Sequence, residues 1–237
     1  VTLKLNPIHL AAVVVGSVVE GLVLRSSFGT DWFEFAGFVT GVVGVYLAAV
    51  EHIINWPISI ANVLIYAWVF FSGRLFADMT LQFFYFALSI HGWWQWAYGG
   101  SKKMVLSTPE ASNSHGPETA GETKALPITR VTPKAWILIA GLWILGTAIY
   151  TPIITYFKGA LPLADSTLTV GSIIAQIMLN TKKLENWMMW ILIDACYIPL
   201  YISKHYIATA ILYGLFLALA VFGLLNWKKT MRPVPSA

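Results

Sequence analysis

Four side chains in one stretch, Trp187, Trp190, Asp194 and Tyr197, are separated by 3, 4 and 3 positions, so an α-helix brings them onto a single stripe. That stripe offers two indole faces, a phenol and one carboxylate. Aromatic rings beside an anion suit a planar heteroaromatic cation, which stacks on the rings and is drawn to the acid. A second stripe, Asn55, Ser59, Asn62 and Tyr66, is spaced 4, 3 and 4 and presents amides and hydroxyls able to hold a sugar or a carboxamide. Gln82, His91 and Gln95 on one later segment, and Gln176 and Asn180 on another, complete the polar candidates. Each has a competing role. Tryptophan near a helix end also forms the interfacial belt of membrane proteins. Asn or Ser on a buried helix also bonds a neighbouring helix, for roughly 0.6 kcal/mol, and a lone histidine is more often a packing residue.

The elements that carry these residues are set by composition. The 237 residues are 57% apolar and 11% charged, with mean hydropathy +0.69, whereas a soluble domain is about half apolar and about a quarter charged. Runs of about 20 mostly apolar residues, the length that crosses a bilayer, fall at 8–25, 32–52, 56–72, 76–98, 135–157, 167–184, 186–203 and 206–227. Eight membrane spans are therefore expected. The first run contains Glu20 and is followed by no small-residue cleavage site, so it reads as a retained span rather than a signal peptide. Asp194 falls a turn or two inside its span, where a charge costs on the order of 2.5–3.5 kcal/mol. An acid kept at that depth has a task, and ligand binding is the task its neighbours suggest.

Between the fourth and fifth spans, residues 99–134 are rich in Ser, Thr, Glu, Gly and Pro and bury too little apolar surface to order themselves. The expected organisation is a peripheral N-terminal helix (1–30), a three-helix bundle (31–98), a flexible cytoplasmic loop (99–134), a linker helix (135–160), a second three-helix bundle (161–229) and a tail (230–237). With eight spans, eleven of the 15 Lys and Arg residues fall on the side of the two termini and four on the other, which places both termini in the cytoplasm. Glu51 and Glu185 end corresponding helices beside His52 and Lys182 and are expected among the headgroups.

The chain also repeats itself. A shift of 131 positions superimposes Asn55 on Asn186, Trp56 on Trp187, Tyr66 on Tyr197, Ser72 on Ser203, Leu81 on Leu212, Ala87 on Ala218, Leu88 on Leu219, Gly92 on Gly223 and Trp96 on Trp227, with no gap. Three spans are an odd number, so two copies joined directly would point in opposite directions. The span at 135–157 lies between them and restores the second to the orientation of the first. The expected fold is all-α, two parallel three-helix repeats about a linker helix with one peripheral N-terminal helix, an arrangement also found in SWEET transporters.

Several chemistries are absent from the sequence. There is no GxxxxGK[ST] nucleotide loop, no HExxH and no GxSxG. The single Cys196 forms no internal disulfide, and no Cys/His spacing suits zinc. No enzymatic activity, metal, cofactor or nucleic-acid partner is expected. The partners are the bilayer and a small polar molecule, and association into a homo-oligomer stays open.

Leu184-Glu185-Asn186-Trp187-Met188-Met189-Trp190 followed by Asp194, together with Asn55-Trp56-Pro57 and Asn62, resembles the Pnu family of bacterial B-vitamin precursor transporters over roughly residues 32–227. The most specific element is Trp-x-x-Trp-x-x-x-Asn/Asp in the seventh span. The resemblance implies a SWEET-like fold in a bacterial inner membrane, and facilitated diffusion of an unphosphorylated vitamin that a separate cytoplasmic kinase then traps. It further implies that Trp187 and Trp190 contact the ligand's ring, and that Asp194 stands where the family often has Asn. Nicotinamide riboside is the family's commonest substrate; thiamine, also cationic, and riboflavin are the alternatives. The remaining expected ligand-binding residues are Tyr197, Asn62, Ser59, Tyr66, Gln82 and Gln176.

Overall fold

The computed structural model describes residues 6–72, 76–105, 126–157, 161–203 and 207–231. Eight α-helices follow one another: α1 (Pro7–Phe28), α2 (Trp32–Ala49), α3 (Asn55–Ser72), α4 (Phe76–Val105), α5 (Pro133–Tyr156), α6 (Pro162–Asn180), α7 (Asn186–Ser203) and α8 (Ile207–Thr230). Local sequence sets several of the ends. The Asn6 side chain accepts from the Ile8 amide and the Asp31 side chain from the Glu34 amide, each capping a helix start. Gly29 closes α1 in the left-handed conformation that favours glycine. Helices α1, α2, α3, α5, α6 and most of α8 are long and apolar enough to cross a membrane. Helices α4 and α7 hold many of the polar candidates and owe their lower apolarity to them.

The repeat is visible in the backbone. Starts of α3 and α7, and of α4 and α8, are 131 residues apart. Helices α2 and α6 end alike: the amides of His52 and Lys183 bond the carbonyls of Leu47 and Met178, and those of Glu51 and Lys182 bond Ala48 and Leu179. This is the Schellman arrangement, whose left-handed position usually holds glycine. Here it holds Glu51 (φ 58) and Lys182 (φ 49), at a backbone cost of about 1–2 kcal/mol each. Each turn is then fastened by an asparagine, Asn55 donating Nδ2 to the His52 carbonyl and Asn186 to the Lys183 carbonyl.

The two triplets meet so that equivalent turns face one another. Helix α8 packs on α2, and α4 on α6. Trp96 donates Nε1 to the Leu179 carbonyl, and Trp227 to the Ala48 carbonyl, again a pair related by the offset. Both turns therefore lie at the same end of the bundle, and the triplets run parallel. The outer helices share the relation: α1 lies on α2 as α5 lies on α6. A Cβ on Gly21 would come within 2.8 Å of the Phe35 ring, and one on Gly146 within 2.8 Å of Val170, so each outer helix is seated by a glycine. Helix α1, expected outside the repeat, thus lies against the first triplet much as α5 lies against the second.

The stretch 99–134, expected to be a flexible loop, is ordered at both of its described ends. Helix α4 runs on to Val105. Leu126 is buried among the tryptophans, and Thr129 pairs with the α6–α7 turn through its amide to the Lys182 carbonyl and its carbonyl from the Leu184 amide. Residues 106–125 and 232–237 lie outside the described residues.

Candidate functional site

Four tryptophans occupy the end where the turns meet. Trp56 stands edge-on to Trp96 at 5.2 Å, Trp187 edge-on to Trp227 at 5.4 Å, and Trp96 and Trp227 meet at 6.1 Å. The first ring of each pair covers a glycine: a Cβ on Gly92 would sit 2.1 Å from Trp56, and one on Gly223 2.7 Å from Trp187. The expectation that Trp187 offers a face to the ligand is therefore corrected. Its ring is 2% exposed and performs the packing that Trp56 performs in the other unit. What both retain is an indole N–H with no acceptor among the described residues.

The first polar stripe is also largely absorbed by packing. Helix α2 carries Gly37, Gly41 and Gly44, and a Cβ on these would meet the Tyr66 ring at 2.9 Å, Asn62 Nδ2 at 3.4 Å and Ser59 Oγ at 3.5 Å respectively. Small residues on one helix admit the larger polar ones of the next, a common membrane packing device. Asn62 donates to the Gly37 carbonyl at 2.7 Å and to Thr40 Oγ1 at 2.9 Å, so both amide hydrogens are spent. Asn62, expected to bind ligand, bonds α3 to α2 in this structure, and Ser59, also expected there, lies against Gly44 of α2. Tyr66 covers Gly37.

The second stripe retains more. Trp190 is half-buried, at the edge of the apolar cluster shared by the two units and of the cluster within the second unit. One turn further, Asp194 is 3% exposed, and among the described residues no hydrogen bond or ion pair reaches its carboxylate. Around it stand tyrosines. Tyr213 of α8 lies 4.6 Å from the Tyr197 ring and 5.2 Å from Tyr201, with Asp194 and Tyr85 of α4 in its neighbourhood. The Tyr85 hydroxyl lies beside Ser172 of α6. Phe216, one turn along α8, reaches across to α2, its ring 3.3 Å from where a Cβ on Gly41 would be. Gln82, one turn before Tyr85, occupies the position on α4 that Tyr213 occupies on α8.

Gln176 donates Nε2 to Asn180 Oδ1, and Asn180 in turn donates to the Leu88 carbonyl at 2.8 Å and contacts His91 Nδ1 at 3.3 Å. Gln95 meets His91 Nε2 at 3.4 Å. These polar groups join α6 to α4. Tyr85, Tyr201, Tyr213, Phe216 and Ser172 were not singled out from the sequence. The repeat offset held the signal, since Gln82 aligns with Tyr213, and Tyr85 with Phe216.

Every Lys and Arg among the described residues lies at a helix end or in a turn. Arg25 is held over the Trp32 ring at 4.0 Å and donates to the Thr30 carbonyl, and Lys182 is paired with Glu51. Among the described residues, no Lys or Arg is placed beside Asp194 by an ion pair or hydrogen bond.

Two like-oriented helical units holding a buried acid and a set of aromatics within an apolar exterior define a membrane carrier for a small molecule. Residues 31–229 match the nicotinamide mononucleotide transporter family, and the chain belongs to it. The chain is 26% identical over 218 residues to the nicotinamide riboside transporter PnuC of Escherichia coli (strain K12), covering 86% of this chain and 88% of that one. It is 23% identical over 207 residues to the riboflavin/roseoflavin transporter RibM of Streptomyces davaonensis, covering 86% and 89%. The crystal structure of the vitamin B3 transporter PnuC shares the fold, with a TM-score of 0.69 over 93% of this chain and 91% of that one, at 23% identity.

Proposed function

We propose that the protein carries nicotinamide riboside across a bacterial inner membrane by facilitated diffusion. The observation that carries the reading is Asp194, buried on the same stripe as Trp190 and Tyr197, with no partner and no basic side chain beside it among the described residues. Such a site suits an aromatic monocation. A phosphate would bring negative charge to a carboxylate with no Lys or Arg to receive it, a cost in low dielectric that nothing on these helices offsets. The riboside therefore fits and the mononucleotide does not, in line with the names of several relatives. Trp190 and the tyrosines supply the stacking surface; Gln82 and Gln176 supply amides for the sugar and carboxamide.

Without a nucleotide-binding loop, transport is downhill, and net uptake depends on a separate kinase that phosphorylates the riboside inside. The excess of Lys and Arg on one side places both termini, and the end where the α2–α3 and α6–α7 turns meet, in the cytoplasm.

Thiamine is the second reading, because it is also an aromatic cation. Riboflavin is neutral and gains nothing from the acid. Competition for labelled nicotinamide riboside on purified protein decides among them: the riboside should displace, the mononucleotide should not. Displacement by mononucleotide at the same concentration as riboside would overturn the reading, and stronger displacement by thiamine would transfer it to thiamine. In proteoliposomes held at zero potential, uptake should stop at equal concentrations, and accumulation beyond that point would disprove simple diffusion.

A further inference from the structure

Glu51 and Lys182 occupy the same place in the two units, 131 residues apart. Across a two-fold relation an axial residue meets its own counterpart, and here the counterparts carry opposite charge. Their contact is short and enclosed: Lys182 Nζ lies 2.9 Å from Glu51 Oε2, with the side chains 6% and 16% exposed. Glu51 uses its other oxygen to accept from Thr230 Oγ1 at 3.0 Å, and the Lys182 ammonium rests 4.4 Å from the Trp96 ring centre. One ion pair thus ties the ends of α2, α4, α6 and α8. Expected among the headgroups from the sequence, both residues are drawn into the seam between the units instead. Both also hold the left-handed backbone position that glycine takes without strain, so side chains are retained there against the local preference of the chain. Backbone strain kept in this way points to a role for what the strain presents.

Other hydrogen bonds between the units gather at the same end. Trp96 and Trp227 reach the Leu179 and Ala48 carbonyls, Asn226 donates to the Ala49 carbonyl at 2.9 Å, and Asn180 to the Leu88 carbonyl. Nearer the middle, the units meet through rings instead, Phe216 against Gly41 and Tyr85 beside Ser172. A carrier with a central site must part at this end to release its load there. An ion pair suits a seam that opens repeatedly, because water entering the gap hydrates both charges and returns much of what their separation costs. A purely apolar seal would have no such compensation.

We propose that the Glu51–Lys182 pair is the latch that closes the carrier at the end where the turns meet, and that it breaks and re-forms in each transport cycle. The two-fold relation supplies a sharp test. In E51K/K182E the charges trade places, and Trp227 stands to position 51 as Trp96 stands to position 182. The double swap should keep the initial rate of riboside uptake in proteoliposomes within about twofold, while E51K and K182E alone, each with like charges opposed, should lower it at least about tenfold. Equal rates in all four proteins overturn the latch. A second arm uses E51C/K182C with Cys196 replaced by serine, joined by a bifunctional methanethiosulfonate. Bridging should stop uptake, and a reductant should restore it. Uptake that continues with bridging complete shows a fixed pivot and overturns the proposal.

Because these readouts rest on the proposed substrate, a third does not. Spin labels at I53C and K228C, also with C196S, span the seam. Their distance distribution should gain a longer component in the single swaps and lose it in the double swap. An unchanged distribution refutes the latch whatever the substrate proves to be.

Discussion

Replacing Asp194 by asparagine separates binding from folding, because among the described residues the carboxylate has no partner. The change keeps the shape and removes one negative charge. Opposite unit charges about 5 Å apart in surroundings of effective dielectric about 20 attract by about 3 kcal/mol, which is roughly 100-fold in affinity. The amide oxygen retains part of that attraction, so D194N should bind nicotinamide riboside about 30- to 100-fold more weakly. The reduced dihydro form of the riboside has nearly the same outline and no charge. Wild-type protein should prefer the cation and D194N should lose the preference, measured by titration calorimetry on both ligands. Added salt should change little, since the site is enclosed and screening acts mainly on exposed charges. Stability should move the other way. Breaking a structural ion pair in the interior costs about 3–5 kcal/mol, but here no pair exists, so the unfolding midpoint of D194N, read from the fluorescence of the 11 tryptophans, should equal or exceed that of the wild type. A D194N protein that unfolds earlier and binds the cation within about threefold of wild type would refute the ligand-facing assignment.

Three further outcomes follow from the packing. Trp187→Ala should destabilise by about 3–5 kcal/mol, like Trp56→Ala, whereas Trp190→Ala should stay folded and lose riboside binding, as size-exclusion profiles and calorimetry will show. Gly92→Ala drives a methyl into Trp56 and should cost about 1–3 kcal/mol; Gly214→Ala, which meets nothing within 4 Å, should leave the unfolding midpoint unchanged or raise it. Asn62→Ala should lower stability by roughly 0.6–1.7 kcal/mol through its lost bonds to α2 with no change in riboside affinity, and a large affinity loss would return Asn62 to the binding site.

The spans were legible because apolar length is a local property, and α3 and α7 begin at the asparagines that the repeat picks out; the ends were less so, since α6 runs Pro162–Asn180 where 167–184 was expected and α4 runs on to Val105. The orientation of the two triplets was legible too, from counting spans between copies. What could not be read was which face of a polar stripe meets protein. Ser59, Asn62 and Tyr66 have the spacing of a binding face, but that face is filled by the Gly37, Gly41 and Gly44 ridge of a different helix, and no single-helix periodicity reveals a partner's ridge. Glu51 and Lys182 were misplaced for a related reason. Their burial arises only when the two units close on each other.

The repeat itself sorts the misread residues from the well-read ones. Positions kept identical across the offset, Asn55 and Asn186, Trp56 and Trp187, Gly92 and Gly223, Trp96 and Trp227, all fasten turns or fill the seam, since a packing solution that works in one unit works in its twin. A ligand without two-fold symmetry needs the opposite. The acid at 194 faces Val63 in the alignment, Trp190 faces Ser59, Ser172 faces Gly41, Gln176 faces Val45 and Tyr213 faces Gln82. On the proposed reading, the binding residues lie mainly where the halves have diverged, Tyr197 being the exception in its identity to Tyr66. Trp187, read from sequence as half of a stacking pair, is identical to Trp56 and packs as Trp56 does, whereas Asp194 and Trp190 have no likeness in the first unit, which is why the proposed site is built on them.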